Sequence, residues 1–259
     1  MPNTRVPEPA DGRGSVPEPD RAPRRPGART GRCAAWLTVL AASAAWFAAL
    51  VLPGAPARSG PNCTSGDCVT YPYTDAAAFV PNDFLWMVPA FLLGPLLVVL
   101  LICLLHGVTG ARRPPARTAV ALATASASVL CVDYYVQFTT VQASLVRGET
   151  GGGLSLLSQY NPHGVFIALE DVGYLSMLVA FVFAARALDG RPGPARILRQ
   201  VLAVTGTIGA VAFVLLIALL GRDLEYWFEI TGLCLVWAAC LPVGALAAAV
   251  LRSPLPPSP

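Results

Sequence analysis

The sequence predicts an all-α polytopic membrane protein, a bundle of six transmembrane helices with both termini in the cytoplasm. Three observations carry that expectation. The 259-residue chain is 55% hydrophobic and only 13% charged, where a soluble domain carries roughly 25% charged residues. Its apolar residues gather into six runs of the length that crosses a ~30 Å hydrocarbon core at ~1.5 Å per residue. All 18 positive side chains are arginines, and they fall on alternate sides of those runs. Mean hydropathy is +0.59. No run alternates with a period of two, so they read as helices rather than barrel strands.

Residues 1–32 contain seven prolines, seven arginines and a near-repeat, Val6-Pro7-Glu8-Pro9 echoed by Val16-Pro17-Glu18-Pro19. Such a segment buries too little apolar surface to order itself and reads as a disordered cytoplasmic tail. Span 1 covers 33–52, and Ala41, Ala45 and Ala49 give it a small-residue packing stripe. A rival reading takes it as a signal peptide cut at Ala55-Pro56-Ala57, but the run is longer than the ~7–15 residues of a signal core. The loop that follows holds Cys63 and Cys68 around a Ser-Gly-Asp turn. On an oxidising outer side they are expected to pair as a disulfide, and two thiols without a histidine do not make a metal site.

Span 2, at 84–107, contains Pro89 and Gly94-Pro95, which bend or break it locally. Span 3 covers 118–141 and span 4 covers 164–188. The outer loop between them runs through Gly148–Gly153 to Asn161-Pro162, a helix-start pair with a capping oxygen followed by a residue lacking N–H. Spans 5 and 6 cover 200–220 and 226–251, with Pro242 in span 6 and a short cytoplasmic tail at 252–259. Fifteen arginines lie before span 1, after spans 2 and 4, and after span 6; the other connections hold only Arg58, Arg147 and Arg222. The excess of positive charge marks the cytoplasmic side, so both termini are expected inside a plasma membrane. Lysine-free, Ala/Arg/Pro-rich usage points to a bacterial source. A net charge of +3 spread over loops gives no case for nucleic acid.

Charges inside spans are costly and by default mark a site. Asp133 is expected ~12 Å below the outer end of span 3, and Glu170 and Asp171 ~9–10 Å below that of span 4. Glu229 lies just below the outer edge of span 6, and Asp83 at the mouth of span 2. At helical spacing Asp133, Gln137 and Thr140 share a stripe with Tyr134 and Tyr135 beside it, and His163, Glu170 and Tyr174 share another. If these faces meet, Asp133, Gln137, Glu170, Asp171, Tyr174, His163 and Glu229 form an acidic pocket open to the outside. Arg147 and Arg222 would then supply counter-charge. The competing reading makes these groups interhelical hydrogen-bond glue, worth ~0.6–2 kcal/mol each.

The sequence has no Gly-x-Ser-x-Gly elbow, no His-Glu-x-x-His and no phosphate-cradling glycine loop followed by Lys. Its two histidines, His106 and His163, fall at opposite ends of the expected bundle, and Glu170 and Asp171 point about 100° apart on a helix. No catalytic residue, metal or cofactor is therefore assigned. The stretch Tyr160-Asn-Pro-His-Gly-Val-Phe-Ile-Ala-Leu-Glu-Asp-Val-Gly-Tyr174, with Asp133-Tyr-Tyr-Val-Gln137 before it, resembles an uncharacterised group of multipass prokaryotic membrane proteins. The resemblance covers spans 3 to 6 and implies the membrane class without an activity. The expected function is to bind or transport a proton, a cation or a small cationic solute. The alternative is a structural or regulatory protein acting through protein partners or as a homo-oligomer, and a membrane-embedded enzyme ranks third.

Overall fold

The computed structural model describes residues 27–51, 68–149, 151 and 153–252. The expected tail up to residue 26, the Ala55-Pro56-Ala57 site, Cys63 and residues 253–259 lie outside the described residues. Those described form an all-helical structure without strands, and six helices are long and apolar enough to cross a membrane. They are α1 (Ala28–Val51), α2 (Met87–Leu105), α3 (Arg113–Val136), α4 (Val165–Ala187), α5 (Pro194–Leu220) and α6 (Trp227–Arg252).

Several helix ends differ from the sequence reading for local reasons. Helix α3 begins at Arg113 because Pro114 and Pro115 fall in its first turn, where no N–H has to be donated. It then continues through a π-helical turn, Gln137–Val141, into Gln142–Arg147. Pro194 opens α5 in the same way, ahead of the expected start at residue 200. Helix α4 starts at Val165, capped by Gly164, not at Asn161-Pro162. Asn161 instead bends the chain on itself, its Oδ1 accepting from the backbone N–H of His163 at 3.0 Å. Gly164 suits the close approach there, since a Cβ would lie 3.0 Å from the carbonyl oxygens of both Asn161 and Leu156.

The helices close into a ring in chain order, each packed on the next and α6 on α1, while α4 also touches α6 directly. That contact leaves α5 outside the pair: its most apolar stretch is 17% buried, against 50% for α4 and α6. Ile208, Val211, Val214, Leu215 and Leu219 of α5 are exposed, an apolar face suited to lipid. Its inner face reaches α4 through Gly206 and Gly209; a Cβ on Gly206 would sit 2.4 Å from the Leu178 carbonyl oxygen. Small residues let helix backbones approach closely where apolar burial alone does not discriminate protein from lipid.

Helix α1 follows the same rule: Ala34, Ala35, Ala41, Ala42 and Ala45 are buried, Ala35 against Gly244 of α6, whereas Ala49 is exposed. In α2, Pro95 cannot donate to the carbonyl of Phe91, and Cys131 of α3 supplies a thiol donor there at 3.6 Å. Ser126 donates to the Gly173 carbonyl at 2.7 Å, joining α3 to α4. Local backbone defects and small polar side chains thus fix the contacts around a bundle whose polar interior lies toward one end.

Candidate functional site

That end is where α3 finishes and where α4 and α6 begin. Asp133, Gln137, Glu170 and Glu229 are 2%, 1%, 0% and 1% exposed there. Burial this complete places acceptor groups from three helices inside the bundle rather than on its lipid face. Glu229 lies within electrostatic reach of Asp133, Glu170 and Asp171, and Asp133 within reach of Glu170. Asp171 is half-buried at the edge of this group. His163, with a side chain 66% exposed, stays out of it and lies 3.8 Å from Glu225. Because α4 starts only at Val165, the helical spacing expected to carry His163 onto the Glu170 face does not apply. Arg147 and Arg222 are exposed and make no ion pair with the buried acids among the described residues.

A one-way hydrogen-bond chain ends on Glu170. An indole N–H can only donate, so Trp237 of α6 donates to the Tyr174 hydroxyl, at 3.2 Å. Tyr134 donates to Glu170 Oε1 at 2.7 Å, which leaves its oxygen to accept the Tyr174 proton across 2.8 Å. The order is therefore Trp237, Tyr174, Tyr134, Glu170, with every proton directed toward the carboxyl group. Rings brace the chain: Trp86 meets Tyr134 and Trp237, both at 5.7 Å, and Trp46 meets Trp237 edge-on at 5.6 Å. Past Trp237 the neighbours toward the other end are apolar, among them Leu93, Leu97, Leu130, Met177 and Val236. The polar network is blind on that side.

Acceptors outnumber donors in the group. Asp133 Oδ2, Gln137 Oε1 and Glu170 Oε2 are buried with no hydrogen-bond partner, as is Asp171 Oδ1. An unmatched buried acceptor costs about 1–3 kcal/mol, more when charged. The arrangement therefore suits a guest that brings protons or positive charge. No set of three or more His, Cys, Asp or Glu side chains among the described residues is arranged to hold a metal ion.

The loop before α4 covers the group, where the sequence suggested an open pocket. Leu154–Leu157 makes one helical turn, and Ser158, Gln159 and Tyr160 are buried behind it. Gln137 of α3 donates to the Leu157 carbonyl at 2.7 Å, and Tyr226, just before α6, to that of Tyr160 at 2.5 Å. Tyr160 donates to Asp83, as does Gln159 at 3.3 Å. Segments preceding α2, α4 and α6 and the end of α3 are thereby tied into one plug. Cys68 is disulfide-bonded, and its expected partner, Cys63, lies outside the described residues.

The sequence reading missed Trp237, Gln159, Tyr160 and Tyr226. Trp237 follows Glu229 by eight residues, which puts both on one helical stripe and is the one available signal for it. Thr140, expected on the Asp133 stripe, is exposed, because the π-helical turn inserts an extra residue and brings Val141 inward instead. Compared with known proteins, the chain matches no family model, no curated protein and no solved structure.

Proposed function

We propose that this integral membrane protein holds a proton or a small hydrogen-bond-donating cation in the acidic group formed by Asp133, Glu170 and Glu229, with Asp171 at its edge. The observation that supports this most is the excess of buried acceptors: three unmatched oxygens, from Asp133, Gln137 and Glu170, around a carboxyl group already receiving one chain of donors. Glu170 and Glu229 are also within side-chain hydrogen-bond reach, a contact that two carboxyl groups make only by sharing a proton. The apolar surroundings past Trp237 favour a holding site over a passage in this conformation.

Both termini lie on the cytoplasmic side of a plasma membrane in this proposal, which rests on the arginine distribution. The acidic group then occupies the outer half of the bilayer. Alkaline phosphatase joined after Gly148 is expected to be active and the same enzyme joined after Arg252 inactive; the opposite pair of results overturns the orientation.

Trp86 and Trp237 adjoin the group, so their fluorescence reports on it. Titration of the purified protein with acid, ammonium or guanidinium is expected to give a saturable emission change that Asp133→Asn removes. A signal unaffected by all of these, or unchanged in the variant, counts against the proposal.

A further inference from the structure

A second cavity lies at the opposite end of the bundle. It is an open groove of about 430 Å³ between the last turn of α2 and the first turns of α3. His106, Arg113 and Arg117 line its mouth and are exposed. Ile102, Val120 and Ala121 form its wall. No acidic residue lines it, and neither arginine is in an ion pair among the described residues. Val120 and Ala121 lie seven and eight residues beyond Arg113 and three and four beyond Arg117, so the apolar wall begins ~10–12 Å from the first cation and ~4–6 Å from the second along the helix axis.

We infer that this groove binds the headgroup and upper acyl chain of an anionic phospholipid from the adjoining leaflet. Its polarity matches such a molecule: cations at the depth of the phosphate, then apolar side chains at the depth of the hydrocarbon. Guanidinium groups grip phosphate oxygens in pairs, and basic pockets at the cytoplasmic ends of helices suit anionic headgroups. Pro114 and Pro115 remove two backbone N–H groups from the start of α3, so the arginine side chains carry the recognition. A free phosphate would engage the mouth but leave the apolar wall unused.

The unfolding temperature of the detergent-purified protein tests this with phosphatidylglycerol and phosphatidylcholine of identical acyl chains, and with glycerol phosphate. Phosphatidylglycerol alone is expected to raise it. The Arg113→Gln/Arg117→Gln double variant is expected to lose the rise, and Arg196→Gln, at another arginine-rich helix start, to keep it. Equal responses to both lipids, an equal rise with glycerol phosphate, or loss of the rise in Arg196→Gln each overturns the assignment. Should the double variant not fold, native mass spectrometry of the wild type decides: selective retention of phosphatidylglycerol supports the site, and indifferent retention rejects it.

Discussion

Trp237→Ala is expected to lower stability by about 3–5 kcal/mol. The side chain is 1% exposed and meets the rings of Trp46 and Trp86, so its removal opens a void where α1, α6 and the segment leading into α2 converge. The same change withdraws the indole N–H that donates to Tyr174 at the head of the chain. Phenylalanine at this position keeps one aromatic ring but loses the N–H together with the five-membered ring, so Trp237→Phe is expected to cost about 1–3 kcal/mol, less than the alanine change. Thermal unfolding of the three proteins in one detergent checks the order wild type, Trp237→Phe, Trp237→Ala. A Trp237→Ala protein as stable as wild type would show that the aromatic layer is not what organises this end of the bundle.

Glu170→Gln has the opposite character, with a small effect on folding and a large one on response. The amide oxygen still accepts from Tyr134, and the volume is unchanged, so the hydrogen-bond chain survives. What disappears is a carboxyl group able to take up a proton or face a cation, together with its interaction with Glu229 and Asp133. A ligand at a hundred times its Kd stabilises the folded state by about 2.7 kcal/mol, a shift of roughly 5–10 °C for a chain of this size. That whole shift is expected in wild type and none of it in Glu170→Gln. Asp133→Asn is expected to behave in the same way, because its Oδ2 is one of the unmatched acceptors. A glue role predicts the reverse pattern, in which either variant changes stability and no cation response exists to be lost.

The bundle was legible because a hydrocarbon core imposes its length on every crossing segment, and because a charge within an apolar run stands out. Asp133, Glu170 and Glu229 were found for that second reason. Tyr134 stands only beside the Asp133 stripe in the sequence and Trp237 goes unmarked, since aromatic residues in spans are ordinary packing until a hydrogen-bond partner on another helix is known. The plug was unreadable for a related reason: Leu154-Ser-Leu-Leu-Ser-Gln-Tyr160 resembles a linker, and its burial depends on Asp83, Gln137 and Tyr226, all distant in sequence. His163 and Thr140 were placed on inward faces by extrapolating an ideal helix. The Asn161 turn and the Gln137–Val141 π-turn each break that periodicity; Asn161-Pro162 is a turn pair as much as a helix start, while no simple pattern of residue types announces the π-turn.

The proposal that buried carboxyl groups hold a guest meets its most direct test in one experiment. The unfolding temperatures of wild type, Asp133→Asn and Glu170→Gln are measured side by side in detergent, from mildly acidic to mildly alkaline conditions and with each of several monovalent cations. A stabilisation by acid or by one cation that is present in wild type and absent from both variants is the predicted result. A flat wild-type profile, or a stabilisation that both variants retain in full, would contradict it.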